Sequence, residues 1–160
     1  MDYKLRISGF NEESIVDGEG FRFVIFVQGC IHDCPNCHNP ETHPLNSGRE
    51  MSISEIEAMI LENKLLNGVT FSGGEPFLQP LPLTVLGKKL KESGLNITTY
   101  TGFTYKQLLE MAQKNPEIKA LLNVTDTLID GPYIHELQDL SLKFRGSSNQ
   151  RIIDLSKVCE

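Results

Sequence analysis

Apolar positions along the chain fall into short blocks separated by turn residues. Tyr3 to Ile7 alternates apolar and polar residues as a half-buried strand does, and Ser8-Gly9 closes it. Val16-Asp17-Gly18-Glu19-Gly20 is turn chemistry. Arg22 to Gln28, dense in Phe, Val and Ile, predicts a buried second strand. Gly29 then lets the backbone bend, and Pro35, Pro40 and Pro44 keep the following stretch out of regular helix. Ser52-Ile53-Ser54-Glu55 is a capping-box pattern. Behind it Ile53, Ile56, Met59 and Ile60 fall at helical spacing, so an amphipathic helix should run to about Asn63. Gly68 to Phe71 reads as a strand, followed directly by Ser72-Gly73-Gly74-Glu75-Pro76. A helix over Leu83 to Ser93 has Val85, Leu86 and Leu90 inward and Gly94 as its stop. A strand over Asn96 to Tyr100 comes next, then a helix capped by Thr104 and Gln107 that ends near Pro116. A short helix over Glu117 to Asn123, a strand over Thr127 to Asp130 stopped by Gly131-Pro132, and a last strand over Gln150 to Leu155 complete the pattern.

Strands alternating with helices predict an α/β protein with a mainly parallel sheet and crossover helices, and 160 residues fit one domain, 1–160. In such folds ligands gather at the carboxyl ends of the strands. Two unusual stretches sit there: the loop after the second strand and Ser72 to Pro76 after the third.

Charge and composition narrow the chemistry. Charged residues make up 22% of the chain and the formal net charge is -6, with no block of Lys or Arg, which argues against a nucleic-acid groove. There is no basic-then-apolar leader and no apolar run of membrane-spanning length, so a cytoplasmic protein without a membrane partner is expected. Thiols are kept reduced there, and clustered cysteines then favour metal over disulfide.

Three of the four cysteines, Cys30, Cys34 and Cys37, fall within eight residues. They could be buried small hydrophobes, although His32, Asp33 and Asn36 among them argue for a polar setting. They could hold zinc, with Cys34-Pro35-Asn36-Cys37 as one pair and Cys30, His32, His38 or His43 completing the set. They could hold an iron–sulfur cluster, in which three thiolates leave one iron of a four-iron cubane open to a small molecule. Gly73-Gly74-Glu75-Pro76 alone would be a tight turn. Beside the cysteine loop it reads as a ligand site: two glycines expose backbone to close approach, and Glu75 adds a negative charge suited to an ammonium group. Cys159, next to the end, is read as structurally neutral.

Cys-x3-Cys-x2-Cys on the loop after a strand resembles the cluster motif of the radical S-adenosylmethionine (SAM) enzymes, with Asn36 where that family often has an aromatic. The resemblance implies an incomplete, TIM-like radical SAM barrel. It implies a [4Fe-4S] cluster on Cys30, Cys34 and Cys37, and S-adenosyl-L-methionine held through its amino group by Gly73, Gly74 and Glu75. Asn36, Cys37 and His38 would line the same pocket through their backbone. The implied chemistry is transfer of one electron from the cluster to the sulfonium, giving methionine and a 5′-deoxyadenosyl radical that removes a hydrogen atom from the target. The cofactor carries the hard step, so no side chain is required as a nucleophile or base, and His32, His43 and His135 read as surface residues.

Three further patterns resemble the glycyl-radical activases of this superfamily, in particular those serving anaerobic ribonucleotide reduction. They are Asp17-Gly18-Glu19-Gly20 with Arg22, Thr127 to Tyr133, and Phe144 to Arg151. The match runs from about Asp17 to Leu155. It implies the glycyl radical subunit of an anaerobic ribonucleoside-triphosphate reductase as partner, and an electron donor such as a flavodoxin or ferredoxin. Arg145 to Arg151 is a candidate for part of the docking surface. A radical SAM enzyme acting on a small molecule such as a deazapurine precursor, or a non-catalytic zinc-binding module, are the alternatives.

Overall fold

A computed structural model describes residues 3–15, 18, 20–30, 48–139, 141–145 and 147–155. Its strands are β1 (Lys4–Ser14), β2 (Arg22–Val27), β3 (Arg49–Ser52), β4 (Gly68–Gly73), β5 (Asn96–Tyr100), β6 (Thr127–Asp130) and β7 (Arg151–Asp154). The helices are α1 (Ile53–Leu61), α2 (Pro80–Glu92), α3 (Tyr105–Ala112) and α4 (Pro116–Val124). One sheet runs β3-β1-β2-β4-β5-β6-β7. Its centre, β2, β4, β5 and β6, is parallel, while β1, β3 and β7 pair antiparallel on the flanks. The expected mainly parallel α/β arrangement is therefore present, and among the described residues the sheet stays open, with β3 and β7 as its edges.

Local sequence explains the helices. Ser52 caps α1 by accepting from the Glu55 amide, and Thr104 and Gln107 form a reciprocal capping box on α3. Pro80 and Pro116 occupy the first turns of α2 and α4, where a missing amide hydrogen costs nothing. This starts α2 three residues before the expected Leu83. Strand β1 outruns its expected end at Ile7 because register shifts between Ile7 and Gly9, and again between Asn11 and Ser14, absorb Ser8-Gly9 as irregularities in the pairing. Strand β3 was not expected. Its sequence, Arg-Glu-Met-Ser, is polar, and pairing with β1 makes it a strand.

The two faces of the sheet differ. Phe23, Ile25 and Val27 of β2, Val69 and Phe71 of β4, Ile97 and Leu128 join the helix residues Ile56, Ile60, Leu83, Leu86, Leu90 and Leu121 in one apolar core. On the opposite face Val24, Thr70 and Thr98 are also buried. Arg22, only 1% exposed, crosses the foot of that face. Its Nε donates to Thr70 Oγ1 at 2.8 Å, and its Nη2 donates to the carbonyls of Val69 at 2.9 Å and Asn96 at 3.3 Å. One side chain thus ties β2, β4 and β5 together below the strand ends that carry the site.

Replacing Arg22 with Met keeps much of the volume and removes these donors. Buried acceptors left without partners cost about 1–3 kcal/mol each. The variant should therefore lose about 3 kcal/mol, lowering the melting temperature by roughly 6–12 °C, as a thermal melt would read. A Tm within a degree or two of wild type would show that these bonds are not what joins the strands.

Candidate functional site

The carboxyl ends of β2, β4, β5 and β6 share one edge. At its start Gly29 (φ 105°) turns the chain out of β2 and delivers Cys30, which is half-buried. Gly73 (φ 92°) turns the chain out of β4. The two turns are stitched together: the Gly74 amide donates to the Val27 carbonyl at 2.8 Å, and the Glu75 amide donates to the Gly29 carbonyl at 2.7 Å. The Gly-Gly-Glu-Pro segment therefore lies against Gly29, one residue before Cys30. Both glycines are needed for this approach, since a Cβ at Gly73 would meet the Val27 amide nitrogen at 2.6 Å and one at Gly74 would fall on the Gly29 carbonyl. Cys34, Cys37, Asn36 and His38, like His32 and His43, lie outside the described residues.

Glu75 follows, with no exposed surface. Its Oε1 accepts from Thr101 Oγ1 at 2.9 Å and from the Gly102 amide at 2.8 Å. Its Oε2 accepts from the same hydroxyl at 2.9 Å and from the Phe77 amide at 3.1 Å, capping a 3-10 turn over Pro76–Leu78. The carboxylate thus links the loop after β4 to the loop after β5.

The edge continues beyond it. The Gly131 amide donates to the Phe103 carbonyl at 2.8 Å, and the Tyr105 amide donates to Asp130 Oδ2 at 2.7 Å. Asp130, 1% exposed, takes a two-pronged grip from Arg151, at 3.1 Å from Nε and 2.6 Å from Nη2. Pairing with Asp130 holds the Arg151 guanidinium above its ordinary pKa. The sequence reading did not single out Thr101 or Gly102, and it gave Asp130 only as the end of a strand and part of the Thr127 to Tyr133 pattern. Position just past the carboxyl end of a parallel strand, here β5, would have found Thr101 and Gly102.

The loop between β6 and β7 folds onto this end through its polar residues. Ser147 is buried, donates to Asn149 Oδ1 at 2.6 Å and accepts from the Ile134 amide at 3.2 Å. Asn149 Nδ2 donates to the Pro132 carbonyl, and Gln150 Nε2 donates to that of Gly131. Tyr100, at the end of β5, donates its hydroxyl to the Phe144 carbonyl at 2.6 Å, and Phe144 has a left-handed φ of 60°. Further out, the Asp139 carboxyl is held below the usual range by hydrogen bonds from the Ser141 side chain and amide.

Comparison with known proteins places these features in a family context. The family described as "4Fe-4S single cluster domain" matches residues 16–153. The anaerobic ribonucleoside-triphosphate reductase-activating protein of Salmonella typhimurium is 34% identical over 157 residues, covering 91% of this chain and 96% of that protein. The protein of the same name from Escherichia coli K12 is 33% identical over 151 residues, with 85% and 90% covered. The pyruvate formate-lyase-activating enzyme of Clostridium pasteurianum is 40% identical over 106 residues, covering 62% of this chain and 44% of that enzyme. Among solved structures, QueE from Escherichia coli shares a TM-score of 0.48 at 20% identity, over 63% of this chain and 53% of that one.

A Gly74→Ala substitution must push the two turns apart, and overpacking of this kind costs typically about 1–3 kcal/mol. Gly9→Ala, with nothing within 4 Å of the added carbon, should change stability by less than about 0.5 kcal/mol. Denaturant melts of the two variants should separate accordingly, and equal midpoints would mean that the turns tolerate separation.

Proposed function

Because the chain belongs to the anaerobic ribonucleoside-triphosphate reductase-activating proteins, within the 4Fe-4S single cluster domain family, we propose that its strand-end edge binds a [4Fe-4S] cluster and SAM and directs their chemistry at one glycine of that reductase. The protein is an activating enzyme, a glycyl-radical activase. With the family goes iron and sulfide, which displaces the zinc-module alternative.

In this reading Cys30, Cys34 and Cys37 hold the cluster as thiolates. Gly73 and Gly74 offer backbone to the amino group of SAM, and the Glu75 carboxylate supplies the negative charge behind them. Asn36 and His38 flank the last thiolate. The observation that carries the reading is the stitch between Glu75 and Gly29: it brings the two motifs to within one hydrogen bond of each other. The residues present suit the group. Among the described residues no group donates to the Gly74 carbonyl, and a buried carboxylate next to it favours a cation.

The cluster and SAM supply, when bound, one electron and a carbon radical that removes a hydrogen atom. The chain's own contribution is to place the target and keep water away. An open sheet cannot bury a small substrate well, whereas a glycine on a loop of a large partner can close the site itself. Glycine presents an alpha carbon with no side chain in the way. An electron donor such as a flavodoxin or ferredoxin and a cytoplasmic setting complete the proposal.

Two measurements check it. After anaerobic reconstitution with iron and sulfide, Cys34→Ala should lose SAM cleavage and Cys159→Ala should keep it. With SAM and a reductant, the wild-type protein should raise on the separate reductase chain a radical whose paramagnetic resonance signal is split into a doublet by the one remaining alpha hydrogen. The signal should vanish when the target glycine is changed to Ala. SAM consumption with a small molecule and no signal on the reductase would overturn the partner assignment.

A further inference from the structure

We propose that Thr101 is a positioning residue for SAM binding: its hydroxyl clamps the buried Glu75 carboxylate so that Gly73 and Gly74 keep the backbone shape that receives the amino group. The inference rests on the reading of these residues given above and deepens it, because Glu75 then acts as a brace between the two loops.

A carboxylate has about four lone-pair sites. In Glu75 the donors to them include the Thr101 hydroxyl, whose one proton is shared between the two oxygens at 2.9 Å each, and the amides of Gly102 and Phe77. The Thr101 hydroxyl has little freedom to serve anything else. Its oxygen accepts from the Phe103 amide at 3.1 Å, which leaves its one proton directed to the carboxylate. The Thr101 amide is held by the Ile129 carbonyl of β6 at 3.0 Å, so the clamp is anchored to the sheet. Thr101 itself is 5% exposed. Hydrogen bonds to a charged acceptor in a dry setting are the strong ones. Through Glu75 the clamp reaches the Gly29 carbonyl, one residue before Cys30. Loss of the hydroxyl would remove one of the donors that join the loops after β4 and β5 here, the Gly102 amide being another, and the turn at Gly73–Gly74 would lose a lateral support.

The test compares Thr101→Val, which keeps the shape and removes the hydroxyl, with Thr101→Ser, which keeps the hydroxyl. Each is made alone and together with Glu75→Ala. SAM affinity is measured by equilibrium dialysis on cluster-reconstituted protein of equal iron content. Exchange of the Gly102 amide hydrogen is measured on the protein without cluster. Thr101→Val should weaken SAM binding by about tenfold, raise KM with kcat nearly unchanged, and speed exchange at Gly102. Thr101→Ser should restore both readouts. In the Glu75→Ala background Thr101→Val should cost less than about twofold more, because both changes act on one contact.

Wild-type affinity in Thr101→Val, failure of Ser to restore it, or costs that multiply in the double variant would each overturn the proposal while leaving the functional reading standing. Wild-type protein that holds its iron yet binds no SAM overturns the functional reading and the proposal with it, even where Gly102 exchange responds as expected.

Discussion

A carboxylate with no exposed surface is costly unless its oxygens find donors. Glu75 meets that condition by drawing on its own turn and on the loop after β5, and the layout of the edge follows from it. The Phe77 amide can reach it only because Pro76–Leu78 curls into a 3-10 turn. Gly102 and Thr101 can reach it only because β5 lies beside β4 in parallel register, with Phe71 opposite Thr99. The backbone of the same residue is fastened to Gly29. One residue therefore fixes the spacing of three strand ends, and Arg22 fixes the same three strands at their feet.

Much of this was legible in the sequence, and the exceptions have physical causes. The helices announced themselves through caps and spacing, which are local, and Ser52 and Thr104 perform as their patterns indicate. The central strands were readable because both of their faces are buried, leaving near-continuous apolar runs in β2 and β4. Strand β3 was not, since Arg49 to Ser52 has no alternation to read and takes its conformation from β1. The Gly-Gly-Glu-Pro segment stood out by composition, but the partner of Glu75 lies 26 residues further on, and no local pattern connects Glu75 with Thr101.

The polar run near the C-terminus shows a different gap between composition and role. Read as sequence, Arg145 to Arg151 is a hydrophilic surface and a candidate docking patch. In the fold Ser147, Asn149 and Gln150 turn toward their own loop and satisfy the backbone of Gly131, Pro132 and Ile134. Arg151 closes on Asp130. What the loop offers outward is set by that internal bonding, with the side chain of Leu137 and that of Ile152 on β7 among its exposed apolar groups.

The strand order carries a consequence for how the chain is made. From β1 onward, with β3 set aside on the flank, spatial order follows sequence order: β1, β2, β4, β5, β6, β7. Each strand emerging from the ribosome finds its neighbour already present, so the sheet can grow in one direction as synthesis proceeds. The cysteine loop leaves the ribosome early, but the turn that backs it arrives with β4, and the Thr101 support arrives later still. Cys30 is thus translated well before its surroundings are complete. A nascent chain would carry its thiols for the time needed to make some seventy further residues, from Cys30 to Thr101, which sets the earliest moment at which the turn bonded to Gly29 can have its Glu75 carboxylate held from the loop after β5.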